Sequence, residues 1–298
     1  MRLAAIDIGS NAARLLISEV LKNTDGKPEF NKLNLVRVPL RLGFDVFEFR
    51  KILPAKEEMI IQTLHAYKHL LKAYDVKHYK ACATSAMRDA ENSAEILSRV
   101  KEDTGISVKI ITGDEEASVI YENHIAENLA ADHSYLYIDV GGGSTELTMF
   151  NDNQMMFKQS FDIGTIRLLK NLVPESKWHE MKDFIKENTR RFRSLVAIGT
   201  GGNINKVFSM SKKKDGKPLV LELLKDYHKE LSSFPLYQRM KVYNLREDRA
   251  DVLVPALLIF INVMRWANAS EIFVPKIGLA DGLIQHLYKE LRWREVEV

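Results

Sequence analysis

The chain opens on a short apolar run, Leu3 to Ile8, which stops at Gly9, Ser10 and Asn11 before Arg14 to Val20 resumes a strand-like pattern. The Asp25-Gly26 pair predicts a hairpin turn into a third strand over Leu33 to Val38. Pro54 stands where a helix should begin, and Met59, Ile60, Leu64, Tyr67, Leu70, Leu71 and Tyr74 recur at helical spacing among lysines and glutamates. The pattern goes on to a strand over Tyr79 to Ala83, a helix over roughly Ala90 to Thr104 closed by Gly105, a strand over Val108 to Ile111 and a helix after Asp114. Strands that alternate with helices predict an α/β architecture.

The pattern then restarts. Tyr135 to Val140, the turn Gly141-Gly-Gly-Ser-Thr145 and a strand over Glu146 to Phe150 mirror the opening of the chain. Setting Asp139 on Asp7 gives an offset of 132 residues and matches Ile6 with Ile138, Ile8 with Val140 and Gly9 with Gly141. A repeated unit changes the fold expected, here to two related α/β halves that each open on strand, glycine turn, strand.

Length agrees: 298 residues divided by a prior of about 150 per domain gives two domains. The composition, 46% hydrophobic and 28% charged, is that of a globular protein and excludes disorder, collagen and coiled coil. A net charge of +3 is too small to mark a nucleic-acid binder, so no DNA partner is expected. The one cysteine, Cys82, excludes a disulfide framework and suits a reducing compartment. The most apolar long stretch, Val252 to Met264, is shorter than the ~20 residues of a membrane span, and no signal-peptide core precedes the first strand. A soluble, cytoplasmic protein with no membrane partner is the expectation. The lysine-rich segment Ser211 to Lys217 reads as a surface loop or a polyanion contact.

The two glycine turns carry the chemistry. A glycine after a strand permits positive φ and close approach to a ligand, and successive amides in such a turn bind phosphate oxygens. Ser10, Asn11, Ser144 and Thr145 would add side-chain donors, while Asp7 and Asp139 would offer hard oxygens of the kind Mg²⁺ takes together with water and substrate phosphate. One such turn alone reads as an ordinary capped hairpin; two favour phosphate. His65 and His69 resemble half a zinc site but have no third ligand. Arg190, Arg191 and Arg193 read as an exposed helix face or, less simply, as lining of a basic groove, and Cys82 reads as packing.

Ala5-Ile-Asp-Ile-Gly-Ser-Asn11 and Ile138-Asp-Val-Gly-Gly-Gly-Ser-Thr-Glu146 resemble the paired phosphate loops of the exopolyphosphatase / guanosine pentaphosphate phosphohydrolase family, within the actin-like, sugar-kinase and Hsp70 superfamily. Arg41-Leu-Gly43, Ala83-Thr-Ser-Ala-Met-Arg-Asp89, Gly113-Asp-Glu-Glu-Ala117, Gly199-Thr-Gly-Gly202, Arg249-Ala-Asp-Val252 and Asp281-Gly282 follow in order. The resemblance implies two actin-like (ribonuclease-H-like) domains with a cleft between them. The expected boundaries are 1–122 with a C-terminal helix 283–298, and 123–282.

By the same resemblance Glu116 matches the residue that activates the attacking water, although adjacent acids such as Glu115 and Glu116 ordinarily just complement a helix N-terminus. Glu146 matches a carboxylate that helps hold the water or the metal. Arg88 matches an arginine that stabilises transferred charge, as a bidentate fork can. Arg41 belongs to a turn shared with the family, Asp7, Asp139 and Glu146 would hold Mg²⁺ or another divalent cation, and Gly199, Thr200 and Gly201 would border a nucleoside or distal phosphate. The implied activity is Mg²⁺-dependent release of orthophosphate from the end of inorganic polyphosphate, conversion of guanosine pentaphosphate to tetraphosphate, or both. An actin-like small-molecule kinase or ATPase and a non-catalytic polyphosphate or alarmone sensor are the alternatives. A homodimer is a family-level expectation. The eight histidines include no His-Asp pair of the additional HD-type domain found in long members, and Ala12 stands where many relatives carry a hydroxyl.

Overall fold

The opening apolar run becomes β1 (Arg2–Ile8), paired antiparallel with β2 (Ala13–Lys22), which in turn pairs with β3 (Pro28–Val38). These and all following elements are those of a computed structural model that describes residues 1–121, 133–152, 154–192, 195–275 and 277–296. Two units divide the chain, Met1–Asn123 with Leu279–Val298, and His124–Gly278. The boundary expected at 122/123, and residues 297 and 298 of the expected C-terminal helix, lie outside the described residues.

In the first unit α1 (Gly43–Phe49) and α2 (Pro54–Ala73) lead to β4 (His78–Ala83), parallel to β1; α3 (Ser85–Asp89), α4 (Ser93–Thr104), β5 (Lys109–Ile110) and α5 (Gly113–Tyr121) follow. The sheet order is β3-β2-β1-β4-β5. Period-two alternation assigns the faces of β1. Ala4, Ile6 and Ile8 pack with Leu15, Ile17 and α2's Ile60, Leu64 and Tyr67, whereas Leu3 and Ala5 pack with Leu16, Cys82, Leu283, Ile284 and Leu287. Both faces are covered, so the strand reads as a continuous apolar run rather than an alternating one. Asp7 belongs to the second face, at the strand's carboxyl end.

Two predicted elements take a different form. The helix expected over roughly 90–104 starts at Ser93, because Ala90 is extended and Asn92 turns its amide onto Ile52, accepting Ile52 N–H at 3.0 Å and donating to Ile52 O at 2.9 Å. The third strand starts at Pro28 rather than near Leu33. As an exposed edge it carries Glu29, Asn31, Lys32 and Asn34, and so has no apolar signature over its first half.

The second unit repeats the plan. β6 (Ser134–Val140), β7 (Thr145–Asn151) and β8 (Gln154–Phe161) form the antiparallel meander; α6 (Thr165–Leu169), α7 (Glu175–Thr189), β9 (Leu195–Thr200) and α8 (Gly202–Ser211) follow. Then come β10 (Leu219–Val220), α9 (Leu221–Ser233), α10 (Leu236–Val242), α11 (Glu247–Ala250), α12 (Leu253–Trp266) and β11 (Glu271–Phe273). The order β10-β11-β9-β6-β7-β8 is the first sheet's order with one added edge strand, with β9 and β11 parallel to β6 as β4 and β5 are to β1. The 132-residue offset is exact in the register: Ile8 pairs with Ala13 as Val140 pairs with Thr145, and Asp7 pairs with Arg14 as Asp139 pairs with Glu146. The apolar stretch over Val252 to Met264 is the buried core helix α12, with Pro255 in its first turn, where its missing N–H costs nothing. Among the described residues no helix is long and apolar enough to cross a membrane.

The closing helix, α13 (Leu279–Val296), belongs to the first unit and starts four residues earlier than the 283 expected. It lies so close to α5 that a Cβ on Gly282 would collide with the carbonyl of Val119. Gly282→Ala should therefore lower unfolding stability by about 1–3 kcal/mol in a urea titration. A midpoint equal to that of the parent chain would contradict this packing.

Candidate functional site

In the first unit three segments lock together around the first turn. Gly9 N–H closes the turn on Ala12 O at 3.0 Å, Gly43 N–H donates to Ser10 O at 2.8 Å and Arg41 N–H to Asn11 O at 2.9 Å. Ser10, expected to present its hydroxyl to phosphate, instead buries it: Oγ lies 2.7 Å from Ser85 Oγ and accepts Ala86 N–H at 3.2 Å. Its hydroxyl braces the loop. Arg41 holds a left-handed conformation, φ 55°, with its guanidinium 4.1 Å over the Phe44 ring.

The start of α5 separates two adjacent acids. Glu115 forms a reciprocal capping box, accepting Thr112 N–H at 2.9 Å while its own N–H donates to Thr112 Oγ1 at 3.1 Å. It also takes Lys109 Nζ at 2.7 Å, and these bonds, Lys109's foremost, hold its carboxyl below the usual range. Glu116, one residue on, turns about 100° around the helix. Its Oε2 is closed off from solvent, and burial together with the charges of Asp7 and Glu116 pushes the Cys82 thiol well above its ordinary pKa. Arg88 Nη1 donates to Ile111 O at 3.0 Å, just before the same helix start. Arg88 and Glu116 thus flank one backbone segment.

The second unit gathers the glycine triplet. Gly141 N–H closes on Ser144 O at 2.9 Å, as Gly9 does on Ala12. The triplet's carbonyls are all engaged: Thr165 N–H donates to Gly141 O at 3.0 Å, Ile166 N–H to Gly142 O at 2.8 Å and Arg167 Nε to Gly143 O at 2.8 Å. A Cβ on Gly164 would collide with Gly142 O, so only glycine lets the segment approach. With the carbonyls turned away, the amides of Gly142, Gly143 and Ser144 have no backbone acceptor among the described residues, the arrangement of an anion nest. Thr145 sends its hydroxyl to Ile163 O at 2.5 Å and, like Ser10, braces rather than presents a donor.

Register places Thr200, Asp139, Glu146 and Ser160 in one row across four strands, on one face of the sheet. Ser160 Oγ donates to Glu146 Oε1 at 3.0 Å, and the buried Thr200 Oγ1 has no hydrogen-bond partner among the described residues. Gly201, at φ +91°, admits the aspartate, since a Cβ there would stand 2.5 Å from Asp139 Oδ1. Gly199 is different: a Cβ would strike Ile272 and Ile204 at 2.8 and 2.9 Å, so its smallness serves core packing rather than a ligand. Two carboxylates at facing positions repel unless a cation lies near, and hard oxygens suit a divalent one. The pair fits Mg²⁺, although no cluster of three or more ligating side chains occurs among the described residues.

The remaining candidates fall elsewhere. His69 is exposed on α2 and His65 half-buried. Arg190 ends α7, Arg191 stacks on Phe192 at 4.9 Å, and Arg193 lies outside the described residues. Gly164, Arg167, Ser160, Arg14 and Arg37 were not singled out from the sequence. The 132-residue offset carried on to Arg14 and Glu146 would have exposed that pair.

The two sheets and their order define an α/β protein of the actin-like two-domain class. The chain belongs to the Ppx/GppA phosphatase family, whose model matches residues 20–291. It is 28% identical over 297 residues to the bifunctional 3-dehydroquinate synthase/phosphatase of Fusobacterium nucleatum, covering 91% of this chain but only 44% of that protein. It is 24% identical over 316 residues to exopolyphosphatase 1 of Mycobacterium tuberculosis, covering 95% and 87%. Among solved structures, the Ppx/GppA family member of Aquifex aeolicus superposes with TM-score 0.73 at 27% identity, covering 97% of this chain and 98% of that one. An exopolyphosphatase of Cytophaga hutchinsonii superposes with TM-score 0.83 at 25% identity, covering 98% of both.

Gly164→Ala should displace the triplet, destabilise the chain by about 1–3 kcal/mol and speed amide exchange over residues 141–144; unaltered exchange there would contradict the close approach. The Cys82 thiol should stay protonated and inert to a thiol reagent at pH 8.5 until the chain unfolds, and rapid labelling of the native protein would contradict its burial.

Proposed function

We propose that the chain is a phosphoanhydride hydrolase that releases orthophosphate from the end of inorganic polyphosphate. The observation that carries this reading is the glycine triplet, whose carbonyls are consumed by residues 165–167 while its amides and the Asp139–Glu146 pair stand at the end of the same hairpin. Membership of a phosphatase family and the likeness to proteins named exopolyphosphatase support the substrate class.

Phosphoryl transfer is mainly a matter of positioning and charge neutralisation. The amides of Gly142, Gly143 and Ser144 would hold the terminal phosphate oxygens, and Arg88 would supply a fork for charge that accumulates on the leaving phosphate. Glu116 would take the proton from a water as its oxygen bonds to the terminal phosphorus and the bridging P–O bond breaks. Its neighbour Glu115 is committed to the helix cap and to Lys109. Asp139 and Glu146 would hold Mg²⁺, which would neutralise phosphate charge when bound. Asp7, the other carboxylate expected at the metal, accepts a hydrogen bond from Arg14 Nη1 at 2.6 Å. The terminal anhydride of guanosine pentaphosphate presents the same chemistry, and phosphate release from the two substrates at fixed Mg²⁺ would rank them.

Glu116→Gln should lower phosphate release from polyphosphate by roughly 10²- to 10⁴-fold, the usual weight of a general base, with polyphosphate binding retained. Unchanged turnover would overturn the assignment. Consumption of ATP only in the presence of a small acceptor, with no release from polyphosphate, would identify a kinase instead.

A further inference from the structure

The first unit carries a band of cations around the amino-terminal half of β4, at the end of that strand remote from Arg88. β5 pairs only with Cys82 and Ala83, so among the described residues the first half of β4 has no strand on its outer side. Alternation sends Tyr79 to the face covered by α2 and α4, and Lys80 to the face covered by α13. A cavity lies on each side. One, of about 400 Å³, is lined by Lys68, Lys72, Asp75, Lys77 and Tyr79 together with the closing turn of α4. The other, of about 300 Å³, is lined by Lys77, His78, Tyr79, Lys80 and Glu290. Because they share Lys77 and Tyr79, the two form one groove around the open edge of the strand. Its acids are already engaged: Asp75 takes Lys77 Nζ at 2.5 Å, and Glu290 takes Lys80 Nζ at 2.7 Å, beside His286. Lys68 and Lys72, one turn apart on α2, are exposed and make no ion pair among the described residues.

We propose that this groove is a second seat for polyphosphate, taking an internal stretch of a long chain whose end is held for hydrolysis. This rests on the reading of polyphosphate as the substrate. A linear polyanion gains from several cations at once, because each neutralised phosphate releases condensed counterions. Lysine suits the task, since a point charge on a flexible stem follows a mobile chain without demanding one geometry. Single-stranded nucleic acid requires aromatic platforms for its bases, whereas the ring in this groove, Tyr79, is packed against the core. From His78 to Ala83, β4 rises about 20 Å before it reaches the segment that carries Arg88. A short oligophosphate held at Arg88 does not reach the groove; a long chain occupies both places. Its second attachment raises the effective concentration of the end to be cleaved. Chain length thereby sets affinity although the bond broken is the same.

The combined variant Lys68→Gln, Lys72→Gln and Lys77→Gln, three exposed positions, tests this with long-chain polyphosphate and tripolyphosphate as substrates. KM for the long chain should rise roughly tenfold and depend less steeply on salt. Phosphate release from tripolyphosphate should keep the kcat and KM of the unaltered chain. An unchanged long-chain KM in the folded variant would overturn this inference and leave the proposed hydrolysis standing. So would an equal rise in KM for tripolyphosphate, which would place the lysines at the hydrolysed end. Loss of affinity for a single-stranded RNA oligomer, with long-chain KM unchanged, would assign the groove to nucleic acid instead. No phosphate release from either substrate by the unaltered chain would overturn the inference together with the function on which it rests. Should the combined variant fail to fold, Lys72→Gln alone decides by the ratio of the two KM values.

Discussion

A carboxylate at the carboxyl end of a central, largely apolar strand is the constraint on which the rest of the molecule turns. Asp7 and Asp139 each stand one residue before the end of a strand that packs into a core; Asp7 is buried, so its charge sits where water is scarce and compensation is obligatory, whereas Asp139 is half-buried. One hairpin answers from within, through Arg14; the other places a second acid alongside. Around each aspartate the same hydrogen-bonded turn redirects the chain, which keeps the backbone geometry equal while the electrostatics diverge.

The turns illustrate how backbone rather than side chains can face a ligand. Ser10 and Thr145, which look like ready donors, spend their hydroxyls on Ser85, Ala86 and Ile163. Buried hydroxyls need partners, and in both loops the nearest partners are internal. The triplet's carbonyls are likewise satisfied from residues 165–167, which aims its amides the other way. The start of α5 works by the same logic of prior commitment, with Glu115 taken by the cap and by Lys109.

Relatives near one-quarter identity retain this fold over nearly their whole length. Such tolerance is what a plan built on alternation and a few glycines should show: cores accept many apolar combinations, whereas Gly164, Gly201 and Gly282 sit where a single added carbon meets backbone or the Asp139 carboxylate.

Strand–turn–strand, the α/β alternation, the 132-residue repeat and the family motifs were legible in residue order, because alternation, helical spacing and glycine turns are local signals. Edge strand β3 was only half legible and β8 not at all, since solvent-facing edges need no apolar face. The break before α4 was invisible because it depends on Asn92 meeting Ile52, forty residues away. Within the candidate site, residue order marked Asp7, Glu116, Asp139, Glu146 and the glycine triplet, but tertiary structure alone showed which groups are already spent. It tied Ser10 and Thr145 into the frame, assigned Gly199 to packing, and set Arg14 against Asp7 where Glu146 stands against Asp139. Commitments of that kind are made across strand register and between distant segments, and no local pattern records them.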